Sequence, residues 1–162
     1  MKAPNSYYKK MSLVVILLAI FNTLIITGCA TVGPIYSTMK KDISSLSNEK
    51  GRIVFYRPSG IYGYAVRPEI FLDGELVGVS KPGTIFHVDV DSGKHQVTIP
   101  VVLYPGETKF EVEISKNETL YIKNSMGGSA IIGRTNIEIV SPEKALTEID
   151  ELEFLADPKK SD

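Results

Sequence analysis

The sequence predicts a mainly β fold: one β-sandwich of seven or eight short antiparallel strands with a single C-terminal helix. Three observations carry it. Apolar and polar residues alternate with period two through most of the chain after Gly51, the signature of half-buried strands. Glycine- and proline-containing turns separate these runs, with no helical stretch between them, which favours a sandwich or barrel. Only after Ser141 does the period change to that of a helix.

In chain order, the expected strands are 52–57, 67–72, 75–80, 84–90, 94–103, 107–115, 119–125 and 130–140. Thr108, Phe110, Val112 and Ile114 alternate with Lys109, Glu111 and Glu113. Phe86, Val88 and Val90 alternate with His87, Asp89 and Asp91, and His95, Val97, Ile99, Val101 and Leu103 with Gln96, Thr98 and Pro100. Ile53-Val54-Phe55-Tyr56 is apolar on both faces and predicts a central strand. Asp73-Gly74 is the strongest hairpin signal, because a type I′ turn needs positive φ at both central residues. Gly127-Gly128 reads as a further turn. Ser141 and Pro142 fit the cap and first position of a helix. Ala145, Leu146, Ile149, Leu152 and Leu155 form its apolar stripe, and Glu148, Asp150, Glu151 and Glu153 its acidic outer face.

Upstream of the sandwich, Lys2, Lys9 and Lys10 precede an apolar run from Met11 to Ile26, which ends in Ile26-Thr27-Gly28-Cys29. Basic start, apolar middle and small-residue exit are the parts of a secretory signal peptide. The run is interrupted by Asn22 and Thr23 and falls short of the ~20 apolar residues of a spanning helix. Ile-Thr-Gly-Cys resembles the lipobox of bacterial lipoproteins, which implies cleavage between Gly28 and Cys29 and acylation of the Cys29 thiol. Ala30 stands where an aspartate would be an inner-membrane retention signal. The expected address is therefore the cell envelope, lipid-anchored, on the outer membrane facing the periplasm in a Gram-negative host. The organisation follows: signal peptide 1–28, lipidated N-terminus and tether 29–50, sandwich 51–140, helix 141–156 and tail 157–162. Within the tether Met39, Ile43 and Leu46 are spaced for one helical face.

The 18 basic residues of the full chain lose Lys2, Lys9 and Lys10 with the leader, leaving 15 against 19 acidic residues, a net charge of −4. A mildly acidic chain without a basic patch argues against nucleic acid as partner. Membrane lipid, reached through acylated Cys29, is the expected partner, with an envelope protein or glycan as a second.

Two stretches carry a further likeness. Arg52-Ile53-Val54-Phe55-Tyr56-Arg57-Pro58 resembles the opening strand of a family of bacterial lipoproteins with an uncharacterised domain. Pro68-Glu69-Ile70-Phe71-Leu72-Asp73-Gly74-Glu75-Leu76-Val77-Gly78 and Val90-Asp91-Ser92-Gly93-Lys94-His95-Gln96-Val97 also resemble the PEGA-type β module. These motifs are turn and core residues, so the resemblance implies an architecture and an envelope location. It implies no catalytic residue and no cofactor.

No reaction is written in the chain. It has no G-x-S-x-G elbow, and Gly127, Gly128 and Gly133 lack the Lys-Ser/Thr of a phosphate loop. His95 reads as a half-buried histidine under a tight turn. His87 and Asp89 project to one strand face, which as a dyad would suit an envelope hydrolase and as metal ligands are too few. The expected function is instead binding or scaffolding, with a surface-exposed adhesin as a further alternative. The candidate site is the loop Ser59-Gly60-Ile61-Tyr62-Gly63-Tyr64-Ala65, bracketed by Arg57 and Arg67. Its two tyrosines either fold back over the sheet, the commoner fate of large rings, or present their faces to a ligand.

Overall fold

A computed structural model describes residues 33–47, 49–60, 62–100, 106–128 and 133–160. The expected signal peptide, Gly28 and Cys29 lie outside these residues, as do Val101 and Leu103 of the expected fifth strand. The described chain is mainly β, with nine strands in two sheets. The strands are β1 (Lys50–Arg57), β2 (Glu69–Leu72), β3 (Glu75–Val79), β4 (Thr84–Asp91), β5 (Gly93–Pro100), β6 (Glu107–Ile114), β7 (Thr119–Gly128), β8 (Gly133–Val140) and β9 (Glu153–Phe154). Two helices accompany them, α1 (Tyr36–Met39) and α2 (Pro142–Ile149).

One sheet has the order β8-β7-β1-β4-β9 and the other β3-β2-β5-β6. All pairings are antiparallel except β1 with β7 and β4 with β9, which are parallel. The facing sides of the sheets bury Ile53, Phe55, Phe86 and Ile122 against Ile70, Leu72, Val97, Ile99, Val112 and Ile114. Phe55 and Phe86 are cross-strand partners whose rings stack at 5.3 Å. Gly78 is required here, because a Cβ would lie 2.4 Å from the Phe86 ring. On the other side of the five-stranded sheet Val54, Tyr56, Ile85 and Tyr121 pack against Ala145, Ile149 and Leu152. Strand β1 is therefore covered on both faces, as its unbroken apolar run predicts.

The hairpin at Asp73-Gly74 has φ of 52° and 86°, the two positive values of the expected turn. Gly127 and Gly128, by contrast, are the last residues of β7, paired with Arg134 and Gly133 rather than forming a turn. Ser141 caps α2, its hydroxyl accepting from the Lys144 amide at 3.4 Å.

The helix is shorter than expected and its stripe is partly corrected. It stops at Ile149, since Glu148, Asp150 and Glu151 crowd carboxylates onto the negative end of the helix dipole. Leu146 is exposed, and Leu155 packs into the intersheet core instead. Beyond Asp150 the chain becomes β9 on the open edge of β4, and the Pro158 carbonyl then accepts from Val79 at the edge of the second sheet. The C-terminal segment thus bridges both sheets on one side. On the other side β6 and β8 leave an open groove of about 410 Å³ containing Phe110, Ile137 and Ile139.

The expected tether is also corrected. Pro34 accepts from the Phe154 amide at 2.8 Å, Tyr36 donates to Leu152 at 2.7 Å, and Ile35 bridges Glu153. Tyr36, Met39, Ile43 and Leu46 are each half-buried. Residues from Gly33 onward belong to the folded domain, because this apolar face has the outer side of the five-stranded sheet to cover. Among the described residues no helix is long and apolar enough to cross a membrane.

Candidate functional site

The candidate loop leaves the end of β1, where Arg57 pairs with Thr84. Arg57 is 3 % exposed. Its guanidinium donates to the carbonyls of Gly63 (2.8 Å), Val66 (2.8 Å) and Ser80 (3.2 Å). Burial pushes its pKa down from the usual arginine range. This corrects one expectation: the nearly buried Arg57 guanidinium positions the loop rather than standing out beside the tyrosines. Gly63 has φ of 63°, and a Cβ there would press 2.9 Å from Met126, so the loop crosses β7 at a glycine.

With its centre held inward, the loop turns both flanking rings outward. Tyr62 is 56 % exposed and Tyr64 66 % exposed, so they do not close the end of the core. Arg67 is exposed as well. Between the loop and β7 lies an open cleft of about 300 Å³, whose lining includes Arg57, Ser59, Tyr62, Lys123, Ser125 and Met126.

Further contacts that support this end are absent from the expectations. Asn124, 2 % exposed, donates to the Ser80 hydroxyl at 2.7 Å and ties β7 to the turn before β4. Its amide oxygen is buried without a partner among the described residues. The signal was present, since Asn124 shares its strand face with Ile122, two residues earlier, and a polar residue at an inward position asks for a partner. Lys123, on the opposite face, donates to Glu148 at 2.8 Å, and the Tyr56 hydroxyl donates to the same carboxylate at 2.8 Å. Glu148 therefore faces the sheet and not solvent, contrary to the acidic outer face expected of α2. Although burial alone would raise it, the Lys123 and Tyr56 contacts hold its carboxyl below the usual range.

The histidines sit elsewhere and apart. Asp89 takes a bidentate contact from Arg52, Nε to Oδ1 at 2.6 Å and Nη2 to Oδ2 at 2.8 Å. That occupies the partner His87 would need for a dyad. His87 instead stacks on Phe154 with ring centres 5.6 Å apart, and burial followed by the Arg52 charge lowers its pKa. No group of three or more His, Cys, Asp or Glu side chains among the described residues is arranged to hold a metal ion. His95 lies under the hairpin turn, Nδ1 at 2.6 Å from Asp73 Oδ2 and Nε2 at 2.8 Å from the Asp91 carbonyl. Asp73 Oδ1 accepts from the Gln96 amide at 2.8 Å. The Asp-Gly and Gly-Lys-His motifs are thus joined by one clamp between the β2–β3 turn and β5.

No protein-family model matches the sequence. Over 133 residues it is 27 % identical to a protein of Haemophilus influenzae described as uncharacterised, covering 80 % of this chain and 77 % of that one. The likeness spans most of both chains and supplies no activity.

Proposed function

We propose that this chain is a lipid-anchored protein of the bacterial envelope that acts by binding or scaffolding, with the Tyr62–Tyr64 loop as its contact surface. The observation that carries the reading is a pair of solvent-facing tyrosines on a loop pinned from beneath by a buried arginine. Loops on a rigid sheet scaffold are where recognition residues concentrate. A loop already ordered by two bonds from one guanidinium, to the Gly63 and Val66 carbonyls, loses little freedom on binding. The anchoring half rests on Ile26-Thr27-Gly28-Cys29 behind its basic and apolar leader. Two or three acyl chains on one cysteine would make attachment effectively permanent, at about 0.8 kcal/mol per buried CH₂. The outer membrane, facing the periplasm, is the address this reading gives.

Cys29→Ser and the double variant Tyr62→Ala/Tyr64→Ala test the two halves separately. The first is expected to abolish palmitate labelling and release the protein from membranes or leave its precursor uncleaved. The second is expected to keep labelling, attachment and the thermal unfolding profile, and to lose the contacts captured by crosslinking in intact cells. Persistent labelling and attachment of Cys29→Ser would sink the anchoring half. Unchanged crosslinks in the double variant would sink the loop.

A further inference from the structure

We infer that the Tyr62–Tyr64 loop lies against the surface of the membrane that holds the anchor, its two rings seated at the lipid headgroup level. The inference rests on the proposed acylation of Cys29 and names the partner of the loop proposed above.

The anchor would have little slack. Cys29 stands four residues before Gly33. A chain of that length reaches at most about 14 Å when fully extended. Gly33 is itself fixed, its amide donating to Glu153 Oε1 at 2.7 Å. The bonds then run without a gap to the loop. The Glu153 amide donates to the Gly83 carbonyl at 2.9 Å, the Gly83 amide to the Arg57 carbonyl at 3.0 Å, and the Arg57 guanidinium to the Gly63 carbonyl at 2.8 Å. Gly63 is the residue between the two tyrosines. Gly33, to which the short leash is tied, and the tyrosine loop are therefore on the same end of the sandwich, where β1 finishes and β4 begins.

Such a short leash on a rigid body confines this end to the vicinity of the bilayer. The opposite end, at the turn Asp91 to Gly93, is removed by the length of an eight-residue strand, about 26 Å. Among the described residues, the end nearer Gly33 carries large exposed rings: Tyr62 and Tyr64 are each more than half exposed. Tyrosine combines an apolar ring with a hydroxyl that stays hydrated, and it is enriched at membrane–water interfaces for that reason. A mildly acidic mature chain gains little from anionic lipid overall. Ring burial at the interface is the contact left to it.

The chain contains no tryptophan, so single tryptophans report position directly. Tyr62→Trp, Tyr64→Trp and, as the far-end control, Ser92→Trp would each be made in the mature acylated chain. Each is reconstituted into phosphatidylethanolamine–phosphatidylglycerol vesicles containing brominated acyl chains. Vesicle flotation and the mass of the N-terminal peptide report attachment and acylation independently. Tyr62→Trp and Tyr64→Trp are expected to shift their emission to the blue and lose most of it to the brominated lipid, while Ser92→Trp keeps its own. If acylated, floating protein showed no more quenching at 62 and 64 than at 92, the inference would be overturned with anchoring intact. Tyrosine-dependent capture of an envelope protein or glycan without quenching would overturn it in the same way. A chain that carried no acyl group and did not float would remove the anchoring reading, and this inference with it.

Discussion

A histidine with an acceptor at each ring nitrogen is held in its charged form by geometry. His95 faces the Asp73 carboxylate through one nitrogen and the Asp91 carbonyl through the other. Burial works against the imidazolium, but the two hydrogen bonds outweigh it, and the pKa of His95 is raised above its ordinary 6.5. The bond from His95 and then that from the Gln96 amide lower the Asp73 carboxyl from its ordinary 3.8. The histidine's contribution is complete below pH 6.5 and fades as pH rises through the higher folded value. That of Asp73 is complete above pH 3.8 and fades as pH falls through the lower folded value. The clamp is therefore strongest between those limits. His87, whose pKa burial lowers, pulls the opposite way near neutrality, so wild-type behaviour alone is not diagnostic. The difference between wild type and His95→Gln in urea unfolding is expected to be about 1 kcal/mol at pH 5 and to shrink by pH 9. A difference independent of pH would refute the charged clamp. The sequence places His95 under a turn correctly. It hides Asp73 as the partner, because that contact depends on β2 lying beside β5, and strand order is not written in alternation. The tyrosines were legible as a candidate loop. Their outward direction was not, since it depends on Arg57 reaching carbonyls six to twenty-three residues away.

Elements that bury one face declare themselves, and elements defined only by a neighbour do not. Eight strands were readable, from alternation between turn signals or, for β1, from an unbroken apolar run. Glu153-Phe154 has no period at all and is a strand only because β4 offers an open edge. The overrun of α2 has a related cause. Leu152 and Leu155 continue a helical spacing, yet the carboxylates at Glu148, Asp150 and Glu151 disfavour another turn, and Leu152 reaches the core by a different route. This short edge strand also holds the N-terminal segment. Phe154 lies against the rings of Tyr36, 6.4 Å away, and His87. Phe154→Ala is expected to cost about 2 kcal/mol, less than a fully buried ring would, because Phe154 is half-buried. Hydrogen exchange should locate the loss. The amides of Tyr36 and Ser37, which donate to Leu152 and Asp150, should exchange faster while those of β1 stay protected. Uniform acceleration across β1 and β7 would mean that the two ends do not dock as a separable unit.

At the scale of the whole molecule, the central strand is the first one made. β1 pairs with β4 over residues 84–91 and with β7 from Thr119 to Lys123, and the sheet is finished only by residues 153–154. A chain that emerges N-terminus first therefore has nothing to complete its middle until almost all of it has appeared. Native contacts this distant in sequence are slow to close, because loop entropy is spent before packing repays it. If the chain is exported as proposed above, the delay would be useful: the strand order would keep the chain open while it is being moved. Force-sensitive translation arrest at successive lengths should register little folding for chains ending before Gly128, and a sharp rise once Phe154 has cleared the exit. Folding already strong at residue 114 would show that the four-stranded sheet forms alone. Otherwise the late arrival of β7 is a built-in timer, set by topology, that on the proposed reading would separate delivery of the chain from its folding.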